Sequence, residues 1–456
     1  VFSKILVANR GEIALRVIRS CRELGIRTVA VFSDADADSL PVKAADEKVY
    51  IGPPPSRQSY LDSRRLIQAA IGSGAEAVHP GYGYLAENES FARSCEAEGL
   101  SFIGPTPENL RLAGDKIAAK KIMKAVGVPV IPGSDRGVQT MAEALQISRA
   151  IGYPVLVKAS GGGGGRGIRI CPDPESLRED FPIAREEARA AFGTDEVYIE
   201  EYLDEPRHIE FQILADSRGT ILHLGERECS IQRKYQKLIE EAPSPHLTPE
   251  LRETMGAMAL RAAEAVGYRN AGTVEFLLDG KGRFYFMEIN ARIQVEHPVT
   301  EMTTGIDLIR EQIRLAAGER LSLSPADVRP RGWAIECRIN AEDPERNFRP
   351  SPGVIEVYRP PGGFGVRLDT HIYQGYELPI FYDSLVAKLI AWDLTREGAI
   401  RIMKRALQEF RIEPIKTTIP LHLRILDDPL FQRGEFSTHF IQRILPENLE
   451  EEDEDD

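Results

Sequence analysis

Near the amino terminus the apolar residues come in three runs of different period. Lys4-Ile5-Leu6-Val7-Ala8-Asn9 is apolar without alternation, as in a buried strand, and Arg27-Thr28-Val29-Ala30-Val31-Phe32 is extended in the same way. Between them Glu12-Ile13-Ala14-Leu15-Arg16-Val17-Ile18-Arg19-Ser20-Cys21 repeats its apolar positions at helical spacing. The chain therefore opens as β-α-β, the start of an α/β fold. Gly11 leads into the helix, but no Gly-x-Gly-x-x-Gly turn is present. A nicotinamide dinucleotide site is thus unsupported, and this part reads as scaffold and substrate wall.

Two later stretches combine strand pattern with phosphate chemistry. Pro154-Val155-Leu156-Val157-Lys158-Ala159 is strand-like, glycines fill 161 to 165 after Ser160, and Arg166-Gly167-Ile168-Arg169-Ile170 resumes an extended pattern. A P-loop would end in Gly-Lys-Ser/Thr and open a helix, which this does not. Glycines between two apolar strands can bring backbone N–H groups close to an anion, and Lys158 stands ready as a point charge for a phosphate. Farther on, Gly272 to Leu278 and Arg283 to Glu288 are strand-like around the turn Asp279-Gly280-Lys281-Gly282.

From Glu288 to Glu296 every even position is polar or charged and every odd one apolar: Glu288, Asn290, Arg292, Gln294 and Glu296 against Ile289, Ala291, Ile293 and Val295. In an extended segment this sets five functional groups on one face above a buried underside. An ordinary half-buried strand could alternate so, but two carboxylates, two amides and a guanidinium in one row can hold a divalent cation at one end and an anion at the other. Pairing Leu278 opposite Arg283 places Glu275 opposite Phe286 and diagonal to Glu288, the two acids roughly 7 to 8 Å apart at the backbone. Such a pair suits magnesium, which takes oxygen ligands and is usually completed by substrate phosphates.

Composition narrows the class. With 456 residues the chain is long enough for about three domains, and no apolar run long enough to span a membrane or signal-like start is present. The five cysteines, Cys21, Cys95, Cys171, Cys229 and Cys337, form no Cys-x-x-Cys pair and read as reduced core thiols of a cytoplasmic protein. Eight acids between Glu447 and Asp456 account for most of the net charge of −13, leaving −5 for the rest. That tail reads as disordered and solvated, and nothing suggests nucleic acid binding.

Ile5 to Ala14, His79-Pro80-Gly81-Tyr82-Gly83, Lys158-Ala159-Ser160 with its glycines, Gln232-Arg233, Gln236-Lys237, Glu288 to Pro298 and Glu336 to Glu342 occur here in one order. Together they resemble a biotin carboxylase of the ATP-grasp superfamily, from residue 4 to about residue 443. The resemblance implies an α/β ATP-grasp fold: an N-terminal Rossmann-like domain over 1–113, an ATP-grasp domain over 114–330 with a mobile lid over 129–203, and an α+β C-terminal domain over 331–446. The tail 447–456 follows.

It also implies roles for individual residues. Lys116 and Lys158 would contact the ATP phosphates under Gly164 and Gly165. Glu200, Glu201, Leu203 and His208 would lie on the adenine and ribose side, with Gln232 and Tyr235 also at the nucleotide. Glu275, Glu288 and Asn290 would bind magnesium or manganese. Lys237, Arg292, Gln294 and the backbone of Val295 would hold bicarbonate, and Glu296 would be the base that removes its proton. Arg338 would stabilise the biotin enolate, with Tyr82 at the biotin and bicarbonate site. The intermediate of the family is carboxyphosphate. Because eight residues of straight strand would span roughly 26 Å, metal and base could not serve one γ-phosphate unless the chain bends soon after Asn290.

Biotin would arrive on a separate carrier protein or domain, since no Ala-Met-Lys-Met-like site is present and Met123-Lys124 and Met403-Lys404 read as core plus surface. A carboxyltransferase would be the second partner, and Arg19, Glu23 and Phe364 match positions of the family's dimer contact. Two positions depart from the family pattern: Tyr235 stands where histidine or asparagine is usual, and Glu201 where lysine is common. An ATP-grasp ligase with another acceptor and a catalytically silent nucleotide-binding regulator are the alternative readings.

Overall fold

Residues 1–159, 168–192 and 195–445 are described by a computed structural model. Five parallel strands, β1 (Lys4–Val7), β2 (Arg27–Ser33), β3 (Glu47–Gly52), β4 (Ala77–His79) and β5 (Ser101–Phe102), form one sheet in the order β3-β2-β1-β4-β5. The unalternating apolar run of β1 has its cause in this central place, where both faces are covered. The helix Gly11–Glu23 follows, as its periodicity requires. Asn9, just beyond β1, donates to the carbonyls of Pro80 and Tyr82 at 2.7 Å each and fixes the turn that carries Tyr82. Gly81 in that turn has φ +63°, and a Cβ there would meet the Asn9 amide at 2.9 Å, so only glycine fits.

The next unit is small. Strands β6 (Val155–Ala159), β7 (Ile168–Cys171) and β8 (Val197–Glu201) form an antiparallel sheet in the order β7-β6-β8, backed by the helices Met141–Ile151 and Pro174–Phe192. Val155 pairs with Cys171 and Lys158 with Ile168, so the chain around the glycines joins two paired strands. Gly164 and Gly165 themselves lie outside the described residues, as does the acidic tail.

The largest sheet has eight strands. After β9 (Arg207–Ala215), β10 (Ile221–Arg233), β11 (Gln236–Ala242), β12 (Asn270–Leu278), β13 (Phe284–Asn290) and β14 (Trp333–Asn340) come β15 (Val366–Thr370) and β16 (Leu385–Asp393). Their order is β13-β12-β9-β10-β11-β14-β16-β15. Ladder pairs such as Ile239 with Cys337 run straight across residue 331, so the strands after it extend the same sheet. In the carboxyl-terminal part, Gly353–Val354 and Val357–Arg359 are two short separate strands. One core packs Leu6, Val29 and Leu66 with Phe211, Phe276 and Phe286 of the large sheet, and a second fills the carboxyl-terminal part. Met123 and Met403 are buried on helices, and all five cysteines are buried free thiols. Among the described residues no helix is long and apolar enough to cross a membrane.

Candidate active site

A cleft of about 1980 Å³ separates the three-stranded sheet from the large one and is lined from both. On the large sheet, the β12–β13 hairpin differs from the expected register. Leu278 pairs with Phe284, not Arg283, a shift that alone would turn Glu275 and Glu288 to opposite faces. A bulge at Met287 absorbs one residue and restores the face, so Glu275 lies directly opposite Glu288 and Thr273 opposite Asn290. Direct opposition brings the acids closer than the expected diagonal did. Two facing carboxylates beside an amide oxygen are a donor set suited to a hard divalent cation.

The strand does end at Asn290, and Glu296 sits at the start of the helix His297–Thr304. Ala291 and Ile293 are fully buried, but Val295 is only half-buried, because the bend breaks the alternation. Glu296 is folded inward to 0% exposure and shared by two cations: Lys237 Nζ donates to it at 2.6 Å and Arg338 Nη2 at 2.9 Å. Lys237 also donates to Glu210 at 2.6 Å and Glu275 at 3.0 Å. Burial alone would push these carboxyls up, yet Lys237 and its neighbouring cations hold Glu275 and Glu296 below the ordinary carboxylate range. The acids in turn keep Lys237 charged far above its usual range despite its burial.

His208, expected on the adenine and ribose side, lines the cleft with Nε2 3.1 Å from Glu275. Arg292 was expected to help hold bicarbonate. Its donors are turned to protein acceptors: Nε to Glu87 at 3.0 Å, Nη1 to Gln294 at 2.6 Å and Nη2 to Asn290 at 3.2 Å. Gln294 donates onward to Glu275 at 3.1 Å. The expected metal end and the expected anion end are therefore linked by direct hydrogen bonds.

Across the cleft, Glu200 on β8 receives Lys158 at 2.7 Å and also Lys120, and Lys116 lies 3.1 Å from Glu288. Burial raises Glu200, but Lys158 and Lys120 outweigh it and bring the carboxyl to about 2. Lys116 and Lys120 are one helical turn apart on the helix Lys116–Ala125, which presents both to the cleft. Leu203 packs with Ile131 and Tyr285 in an apolar corner, a surface for a flat ring. Glu201 pairs with Arg283 at 3.3 Å. Gln232 lies beside Lys237 across β10 and β11, while Tyr235 is 64% exposed at the β10–β11 turn with φ +64°. Tyr82 lines the cleft, its hydroxyl bonded to Glu12.

Glu210, Glu87, Lys120 and Glu240 were not singled out from the sequence. Glu210 had a readable signal: His208, Glu210 and Gln212 alternate with Ile209, Phe211 and Ile213, the same pattern as the row from Glu288. Lys120 had one in its helical spacing from Lys116. Glu87 is placed by a loop and had none.

A small antiparallel sheet bearing Lys158, facing across a cleft a large sheet that bears opposed acids, is the ATP-grasp architecture. Family models match residues 1–110 (biotin carboxylase, N-terminal domain), 115–324 (carbamoyl-phosphate synthase L chain, ATP binding domain) and 336–443 (biotin carboxylase C-terminal domain). The chain belongs to the biotin carboxylase family. It is 56% identical over 443 residues to the biotin carboxylase of Nostoc sp., covering 97% of this chain and 99% of that one. It is also 56% identical over 441 residues to a pyruvate carboxylase subunit of Methanothermobacter thermautotrophicus, covering 97% and 90%. Among solved structures, the biotin carboxylase domain dimer of Hydrogenobacter thermophilus 2-oxoglutarate carboxylase, in complex with MgADP, ADP and bicarbonate, is 52% identical. It superposes with a TM-score of 0.90, and 97% of each chain is covered.

Proposed function

We propose that this chain, an ATP-dependent ligase, carboxylates biotin with bicarbonate, and that its residues divide the work as follows. Lys116 and Lys158, with Gly164 and Gly165, hold the ATP phosphates, and Lys120 joins them by releasing Glu200. Leu203, Ile131 and Tyr285 receive the adenine ring; Glu201, Gln232, Tyr235 and His208 complete the nucleotide's surroundings. Glu275, Glu288 and Asn290 hold magnesium or manganese, which when bound neutralises the phosphate oxygens. Lys237, Arg292, Gln294 and the Val295 backbone bind bicarbonate. Planar and anionic, it suits the Arg292 fork once that fork turns from its protein acceptors.

Glu296 takes the bicarbonate proton, and the freed oxygen attacks the γ-phosphorus, expelling ADP and forming carboxyphosphate. This breaks down to CO2 and phosphate, the phosphate removes the ureido proton of biotin, and Arg338 stabilises the enolate oxygen beside Tyr82. The resulting nitrogen nucleophile attacks CO2. The observation that carries this reading is Glu296: fully buried, ionised, and held at once by the lysine of the anion site and by Arg338. Phosphate release from ATP should require both bicarbonate and biotin; release indifferent to biotin would point to another ATP-grasp acceptor.

Biotin would be carried by a separate carrier protein or domain, with a carboxyltransferase as the next partner, all in the cytoplasm. Arg19, Glu23 and Phe364 are exposed and suited to a homodimer contact, Phe364 most of all at 86% exposure. Domain limits of 1–113, 114–330 with a lid over 129–203, and 331–446 suit this division of labour. Relatives named for pyruvate and for 2-oxoglutarate are similar to nearly the same degree, 56% and 53% identical.

A further inference from the structure

Behind Arg338 lies an acid pair that the reaction does not use. Glu240 on β11 and Glu336 on β14 are directly opposite in the ladder, and neither is exposed. Glu240 Oε1 accepts from Arg338 Nε at 2.6 Å, but its Oε2 has no partner, and neither oxygen of Glu336 has one. Three buried carboxyl oxygens without a donor on adjacent side chains are a costly arrangement for two carboxylates.

Nor is there spare positive charge. The charged groups facing the pair are Arg338 on β14, Lys388 on β16, Lys237 on β11 and Glu296 at the start of the helix His297–Thr304. Arg338 is shared with Glu296, and Lys237 with Glu210, Glu275 and Glu296. Lys388 lies 3.1 Å from Glu12 of the first helix and donates to the Val295 carbonyl at 2.9 Å. Burial accordingly lifts Glu240 to about 7 even against Arg338, and lifts Glu336 well above the carboxylate range.

We propose that Glu240 and Glu336 share one proton, Glu336 donating to Oε2 of Glu240, and that this singly charged pair is a positioning device for Arg338. Its one negative charge holds the guanidinium through both Nε and Nη2 while Nη2 still reaches Glu296 at 2.9 Å. A second charge would pull Arg338 off the base, so loss of the shared proton disables the site. Neither acid touches substrate. The inference rests on the assignment of Glu296 and Arg338 to the reacting end.

Glu336→Gln offers a permanent N–H donor in nearly the same shape. The wild type should lose kcat on the alkaline side, approaching about tenfold per pH unit. Glu336→Gln should match it near neutral pH and lack that fall. Glu240→Gln should lower kcat by roughly 100-fold at every pH with KM for ATP unchanged, since Arg338 loses its rear counter-charge. Infrared spectra of wild type and Glu336→Gln supply a readout independent of turnover: the variant should lack one protonated-carboxyl stretch. A folded Glu336→Gln that keeps the wild-type alkaline fall, or every such band, overturns the proposal. Should Glu296→Gln and Arg338→Met remain active, the underlying assignment fails instead.

Discussion

The two walls of the cleft solve opposite charge problems with the same residue types. On the small sheet one acid, Glu200, is shared by two lysines, Lys120 and Lys158, that are still partly open to solvent. On the large sheet one lysine, Lys237, is shared by three acids, two of them fully buried. The first arrangement leaves net positive charge and loosely held side chains, suited to a phosphate chain that must enter and leave. The second matches buried acids with buried cations in fixed geometry, since Arg227 also holds Glu210 and Arg338 also holds Glu296, and it suits groups that must stay in place. Burial, more than residue identity, decides which wall yields to ligand and which organises it.

The sharpest break in this contrast is at Glu296, the proposed base. Glu296→Gln keeps the hydrogen bonds but removes the proton acceptor, and kcat should fall by roughly 10² to 10⁴ while nucleotide binding persists, read by turnover beside ATP-analogue titration. Lys237→Met should come next. It leaves three acids facing each other without their common cation, a loss of about 3 to 5 kcal/mol of stability, seen in chemical denaturation and partly recovered by divalent cation.

Glu200→Gln tests the other wall, with a pH signature. The wild-type carboxyl is held at about 2, below its unfolded value, so its contribution is present above the ordinary carboxylate range and lost as pH falls toward that value. Hydrogen exchange of β6 and β8 should show the variant less protected near neutrality by at most about 3 kcal/mol, and equal to wild type in strong acid. The smallest effect belongs to Tyr235→Asn. An exposed residue at φ +64° should gain a few tenths of a kcal/mol from a side chain that tolerates that backbone, with KM for ATP changing less than about twofold.

Much of this was legible in the chain, and the misses have physical causes. Unalternating β1 and the row from Glu288 announce their burial, because period and exposure are one property of a strand. The bend after Asn290 followed from strand length taken with the roles that the family resemblance gives to its two ends. The hairpin register did not, because a bulge at Met287 leaves no mark in an apolar-polar pattern that it repairs. The tie of Arg292 to Glu87 was not legible, because it crosses 205 residues of sequence. The pairing of Glu240 with Glu336 joins strands separated by helices and a hairpin, and only the ladder brings it into view.

The central claim is that Glu296 frees a bicarbonate oxygen to attack the γ-phosphorus. Turnover with ATP, biotin and 18O-labelled bicarbonate tests it most directly, with mass analysis of the phosphate released. One labelled oxygen in each phosphate is the predicted result, lost together with turnover in Glu296→Gln; phosphate free of label would contradict it.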